Sequence, residues 1–154
     1  MKNKVARAGL AVIFAASLLS STASFAAEKQ ACSLGNSAGN WAFTDNGTVL
    51  GIGPRTAVGV FTLDGAGNLT NGVATSSLNG SVAQETFSGT YTVNSDCTGT
   101  ANVTIDSGGA EILALTMNLA FDDGVKEMRA IFSSASLPDG TQLFTVINLD
   151  ARKQ

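Results

Sequence analysis

The chain has 154 residues, a formal net charge of −3 and no histidine. Without histidine, the Ser-His-Asp and Cys-His catalytic arrangements and the histidine-based zinc hydrolases are excluded. The acidic balance also makes nucleic acid an unfavourable partner, because a negative surface repels phosphate backbones.

The N-terminus has the three-part layout of a secretory signal peptide. A short basic region is followed by a stretch of apolar and small residues over 9–19, and then by Ser24-Phe25-Ala26, which ends in a small residue suited to cleavage. The apolar stretch is shorter than the roughly 20 residues that a membrane-spanning helix needs. We therefore predict a signal peptide over residues 1–26 and a secreted or periplasmic domain over residues 27–154, with no membrane span after cleavage. An uncleaved membrane anchor is the alternative.

Both cysteines, Cys32 and Cys97, lie in the predicted mature chain. In an oxidising compartment, a single pair of cysteines most simply forms a disulfide. The alternative is a metal site, but two thiolates without histidine do not complete a tetrahedral zinc shell. The sequence therefore predicts a Cys32–Cys97 disulfide, no metal site and no cofactor.

Apolar and polar residues alternate over eight runs that are separated by clusters of Gly, Asn and Asp, which favour turns. The predicted strands are Asn40–Thr44, Thr56–Leu63, Asn68–Ser76, Glu85–Val93, Thr98–Asp106, Glu111–Phe121, Lys126–Ser133 and Gln142–Leu149. Short connections join antiparallel neighbours. An all-β, eight-stranded up-and-down barrel of lipocalin-like or calycin-like shape is favoured because closure removes the exposed edges of the sheet. A two-sheet β-sandwich is the alternative.

The alternation also predicts which face of each strand points into the barrel. In the fourth predicted strand, Phe87 and Tyr91 share one face, and Thr90 and Thr92 share the other. An apolar face opposite a threonine-rich face is typical of a sheet with one buried and one solvated side. We therefore expect Phe87 and Tyr91 to be buried and the two threonines to be exposed.

Two segments of the chain carry a resemblance to other proteins. Residues 59–70 read Gly-Val-Phe-Thr-Leu-Asp-Gly-Ala-Gly-Asn-Leu-Thr, and residues 89–99 read Gly-Thr-Tyr-Thr-Val-Asn-Ser-Asp-Cys-Thr-Gly. This pattern resembles small exported bacterial proteins of unassigned function, and it implies no activity and no functional residue. Gly39-Asn40-Trp41 is similar to the Gly-x-Trp opening of lipocalins, which implies a barrel and, more weakly, ligand binding.

Paired carboxylates are the remaining option for acid–base catalysis. The candidates are Glu85, Asp106, Glu111, Asp122 and Asp123. Nearly all of them lie at predicted strand ends or in turns, where carboxylates are normally solvated. Glu111 is the exception, since its parity matches that of the predicted inward residues Leu113 and Leu115; a solvated residue at the start of its strand is the alternative. We assign no catalytic residue, and we expect no hydrolytic or redox turnover.

Large aromatic side chains at inward positions are the candidate ligand contacts. They are Trp41, Phe61, Tyr91 and Phe132, with Glu111 at the rim of the barrel; core packing is the alternative for the aromatics. An eight-stranded barrel is at the size where side chains either fill the interior or leave room for one small ligand.

The sequence therefore predicts an exported barrel that binds a small apolar ligand in its mouth. The alternative is a structural or interaction protein with a filled core, which forms homo-oligomers through outward apolar residues such as Val58 and Val60. An enzyme that uses only carboxylates or shape is the least favoured function.

Overall fold

The computed structural model describes residues 32–122 and 124–154, which form a closed barrel of eight antiparallel strands. The strands are β1 (Gly39–Val49), β2 (Gly53–Leu63), β3 (Asn68–Leu78), β4 (Ser81–Val93), β5 (Thr98–Ser107), β6 (Ala110–Phe121), β7 (Glu127–Ser136) and β8 (Thr145–Lys153). A four-residue helix, α1 (Leu34–Ser37), precedes β1. The described residues include no helix that is long and apolar enough to cross a membrane. The predicted signal peptide over 1–26 and the carboxylate of Asp123 lie outside the described residues.

The predicted eight-stranded antiparallel barrel is confirmed. Consecutive strands pair with each other, and β1 also pairs with β8 from Trp41↔Lys153 to Val49↔Thr145. This last pairing closes the sheet, so the barrel and not the sandwich is the observed architecture. Closure gives every described strand a paired neighbour on each side, although β7 and β8 pair over only part of their length.

Strand β1 extends five residues beyond its predicted end at Thr44. Asp45-Asn46-Gly47 has the composition of a turn, yet Gly47 pairs with Arg55 on one side and with Ile147 on the other. A Cβ atom added at Gly47 would lie 2.0 Å from the carbonyl oxygen of Val146, so the close approach of β8 requires glycine here. Pairing on both sides therefore overrides the local preference for a turn.

Strand β8 begins three residues later than predicted and ends four residues later. The segment that precedes it turns back on β7: the backbone N–H of Leu143 donates to the carbonyl oxygen of Ala135 at 2.8 Å, and Gln142 forms a bridge with Ser136. Pairing between β7 and β8 stops at Ile131↔Asn148. The loop over residues 137–144 therefore forms part of the barrel wall between these strands.

Helix α1 covers one end of the barrel, which we call the closed end. The hydroxyl of Tyr91 donates to the carbonyl oxygen of Asp64 at 2.6 Å and lies 3.1 Å from Ser37 Oγ. The indole N–H of Trp41 donates to the carbonyl oxygen of Ser37 at 3.0 Å. These bonds hold in place a helix that the alternation of the sequence did not predict.

The faces of β4 agree with the alternation of its sequence. Tyr91 is buried and Phe87 is partly buried against the core, whereas Thr90 and Thr92 are exposed. Beside them, the ring of Trp41 stacks on that of Phe61 with 6.5 Å between centroids. The closed half of the barrel is therefore an ordinary packed core.

The predicted Cys32–Cys97 disulfide is confirmed, and it ties the segment before α1 to the turn before β5. Because the bond closes a loop with a sequence separation of 65 residues, Cys97→Ala should lower the free energy of unfolding by about 4 kcal/mol. Urea denaturation of the variant and of the unmodified protein measures the difference. Two free thiols in the unfolded, unreduced protein would contradict the disulfide.

The two faces of β4 should respond differently to substitution. Tyr91→Ala should lower the free energy of unfolding by about 3–5 kcal/mol, because it removes a buried aromatic ring from the core. Thr90→Lys, one residue away on the exposed face, should change it by less than about 1 kcal/mol. Equal losses in thermal or urea denaturation would show that both faces of this strand are covered.

Candidate functional site

A cavity of about 350 Å³ lies at the other end of the barrel, which we call the open end. This end carries the connections over residues 50–52, 79–80, 108–109 and 137–144. The volume is within the range of small-molecule sites. The side walls are mostly apolar and include Val49, Leu78, Ile105, Leu113, Phe132 and Ile147.

Several exposed large apolar side chains lie at the same end, whereas others, such as Val58, Val60, Val73 and Ile131, lie along the outer wall of the barrel. Those at the open end are Leu50, Ile52, Val82, Ile112, Leu137 and Phe144. Of these, Ile52, Ile112 and Leu137 also line the cavity. Exposed apolar groups that line a concave site, as these three do, are typical of a binding surface.

The floor of the cavity carries an ion pair. The guanidinium of Arg55 donates two hydrogen bonds to the carboxylate of Glu85, at 3.1 and 3.0 Å, and the hydroxyl of Ser76 donates a third at 2.6 Å. The side chains of Arg55 and Glu85 are only 9% and 5% exposed. A bidentate pair of this kind fixes the position of both groups.

A second carboxylate, that of Asp45, lies behind this pair. Its Oδ2 atom is 3.4 Å from the guanidinium of Arg55, and its side chain is 2% exposed. Within the part of the chain that the structure describes, Asp45 Oδ1 and Arg55 Nε have no hydrogen-bond partner. We call Asp45, Arg55 and Glu85 the charged cluster; it joins one guanidinium to two carboxyl groups.

The two carboxylates of the charged cluster differ in pKa. Burial raises the pKa of Asp45 above its usual value of 3.8, and the attraction of Arg55 offsets this only in part. Burial also opposes ionisation of Glu85, but the hydrogen bonds from Arg55 and Ser76 outweigh it and lower the pKa of Glu85 below 4.5. Glu85 is therefore the ionised partner of Arg55, and Asp45 is the carboxylate whose ionisation is costly.

The charged cluster was detectable from the alternation of the sequence. Asp45 has the parity of Trp41, and Glu85 has the parity of Tyr91, so both belong to inward faces. The prediction that Glu85 is solvated at a strand start is wrong, because β4 begins four residues earlier, at Ser81. Asp45 was missed because the turn-like composition of Asp45-Asn46-Gly47 ended the predicted first strand at Thr44.

Of the five predicted ligand contacts, Phe132 lines the cavity. Trp41, Phe61 and Tyr91 are buried in the closed half, where a void lined by Phe61 and Tyr91 measures about 30 Å³. That volume holds roughly one water molecule. These three aromatics therefore act as core residues in the structure and are left out of the site.

The inward position predicted for Glu111 is wrong. Ile105 pairs with Leu113, but the next residue, Asp106, pairs with Glu111, so Ile112 is an extra residue in β6. Such a bulge reverses the parity of the residues before it. Glu111 is consequently exposed, and Ile112 lines the cavity in its place.

Asp106 and Asp122, the remaining acidic candidates that the structure describes, lie at opposite ends of the barrel. Asp122 is exposed and accepts hydrogen bonds from the backbone N–H groups of Lys126 and Glu127, at 2.7 and 2.9 Å. Asp106 lies in β5 near the open end. In residues 32–122 and 124–154, no three His, Cys, Asp or Glu side chains are grouped as a metal site.

The architecture and cavity define a small, closed antiparallel barrel that is packed at one end and hollow at the other. Neither a protein-family model nor a curated protein sequence matches the chain. The chain is similar in structure to EF1p2_mFAP2b bound to DFHBI, with a TM-score of 0.55 and 14% identity over 77% of this chain and 94% of that one. It is also similar to mFAP1, a redesigned β-barrel bound to DFHBI, with a TM-score of 0.50 and 19% identity over 79% and 98% of the two chains. At these identities the likeness shows the fold alone.

Substitutions in the charged cluster should change the free energy of unfolding in different directions. Arg55→Met should lower the free energy of unfolding at pH 7 by about 3–5 kcal/mol, because it leaves two buried carboxylates without their cationic partner. The loss should shrink as the pH falls, because the two carboxyl groups then take up protons and no longer need that partner.

Asp45→Asn should behave in the opposite way. The pKa of Asp45 is higher in the folded than in the unfolded protein, so ionisation of this group lowers stability as the pH rises from 3.8 through its folded pKa. The variant should therefore gain stability relative to the unmodified protein over that range. Urea denaturation between pH 3 and pH 7 measures the free energy of unfolding of both variants. If Asp45→Asn lost as much stability at pH 7 as Arg55→Met, the attraction of Arg55 would fully offset the cost of burying the Asp45 carboxylate.

Proposed function

We propose that this protein is exported and binds a small, mainly apolar molecule in the cavity at its open end. The observation that carries the proposal is the cavity itself, which combines a volume of about 350 Å³, apolar walls and a few polar groups on one surface. Small-molecule sites have this composition, since the apolar walls supply affinity and the polar groups fix orientation.

The barrel has a filled half and a half that contains a cavity, and this supports ligand binding over a purely structural role. A filled interior would have favoured the structural role, but only the closed half is filled. EF1p2_mFAP2b and mFAP1 are both bound to DFHBI, which is compatible with ligand binding by barrels of this shape. The disulfide and the predicted signal peptide support a secreted or periplasmic location. The outward residues Val58 and Val60 are exposed, and self-association through them stays a prediction.

Binding can be tested with a neutral apolar fluorophore, N-phenyl-1-naphthylamine, whose emission rises in an apolar site. Ala83 lines the cavity and is followed two residues later by Glu85, so Ala83→Trp should fill part of the space. We expect this variant to weaken fluorophore binding about tenfold or more. The matched control is Val82→Trp, because Val82 is the preceding residue, is 70% exposed and does not line the cavity.

Two results would contradict the proposed function. One is the absence of saturable fluorophore binding to the purified, oxidised protein. The other is binding that Ala83→Trp and Val82→Trp reduce equally, since the fluorophore would then be bound outside the cavity. Thermal denaturation of both variants shows whether each one is folded.

A further inference from the structure

We propose that the molecule bound in the cavity carries a cationic amino group on an apolar body, and that the amino group lies over the charged cluster. The proposal rests on the proposed function, because it names the chemical class of the ligand for the same cavity. It is carried by the charge, burial and hydrogen bonding of Asp45, Arg55 and Glu85.

The charge of the cavity floor favours a cationic ligand. One guanidinium faces two carboxyl groups, and all three side chains are at least nine-tenths buried. Among the described residues that line the cavity, Arg55 and Glu85 are the charged ones, so the wall supplies no second cation. The second carboxylate is unfavourable in its ionised form until a proton or a cation joins it, and an ammonium group on the floor is such a cation.

The hydrogen bonds and ion pairs of Arg55 disfavour an anionic ligand. Both terminal nitrogens of its guanidinium donate to Glu85, and Nη2 also lies 3.4 Å from Asp45. A bound carboxylate or phosphate would place a third negative charge against this single positive charge. The arginine is therefore a structural partner of the two acids and not a free anion receptor.

The carboxylate of Asp45 has an oxygen, Oδ1, for which the described residues supply no hydrogen-bond partner. A void of about 30 Å³ adjoins Asp45 and shares Arg55, Glu85, Ile105 and Phe132 with the larger cavity. It has room for roughly one water molecule, which can accept a hydrogen bond from an amino group on the floor and donate one to Asp45 Oδ1. A hydroxyl group could make the same water-mediated contact, but it would bring no positive charge to the carboxylate.

The experiment compares three probes with one apolar chain and different head groups. Octylamine, octanol and octanoate displace N-phenyl-1-naphthylamine from the purified, oxidised protein at pH 7, where the amine is cationic and the acid is anionic. Octylamine should displace the fluorophore at a concentration about tenfold or more below that of octanol. Octanoate should be the weakest of the three.

Two variants then test whether the charged cluster is responsible. Asp45→Asn makes the cluster neutral without changing its shape, so the advantage of octylamine over octanol should fall to about threefold or less. The control is Asp139→Asn, which removes the same charge from an exposed residue of the 137–144 loop at the open end. This variant should keep the full advantage of the amine.

The outcomes separate this proposal from the proposed function. Equal displacement by octylamine and octanol, tighter displacement by octanoate, or an amine advantage that survives in Asp45→Asn would overturn the amine while leaving apolar binding intact. Failure of the fluorophore to bind would overturn the proposed function itself. The ranking of the three probes on the unmodified protein holds whether or not Asp45→Asn folds.

Discussion

Closure of the sheet through β1 and β8 is the constraint on which the rest of the structure depends. Nine residue pairs join these strands, from Trp41↔Lys153 to Val49↔Thr145. Because the chain returns to its first strand, every inward side chain faces a shared interior, and each strand keeps both of its hydrogen-bonding neighbours. The extended conformation of Asp45-Asn46-Gly47 follows from this closure, and so does the presence of Asp45 inside the barrel.

The closed barrel has two ends with different contents. At the closed end, α1, the Cys32–Cys97 disulfide and the hydrogen bonds of Tyr91 hold a packed aromatic core. At the open end, the interior is only partly filled, and several exposed apolar groups lie there. The disulfide and the aromatic core thus lie at one end of the barrel axis, and the candidate site lies at the other. They can stabilise the fold without filling the cavity.

Alternation and turn composition were sufficient to predict the eight strands, the barrel and the faces of β4, because each depends on local pattern. The disulfide was predicted from the single pair of cysteines and the expected oxidising compartment. Two parts of the site depend on non-local pairing instead. The bulge at Ile112 is visible only in the register of β6 against β5, and it reverses the predicted position of Glu111. The hollow at the open end depends on how the loop over residues 137–144 packs against β7, which no periodicity encodes.

The charged cluster is the feature that a purely structural barrel has least reason to contain. A buried ion pair generally stabilises a fold no more than apolar side chains of similar volume, and an unbalanced carboxylate beside it adds a cost. The remainder of the interior shows that apolar packing was available to this chain, since Phe43, Phe132 and Leu149 surround the same small void. Arg55, Glu85 and Asp45 come from three different strands and meet at the one place where the packed half of the barrel ends and the cavity begins. Their position at that boundary, more than their contribution to folding, is the reason for the proposal that they contact a bound ligand.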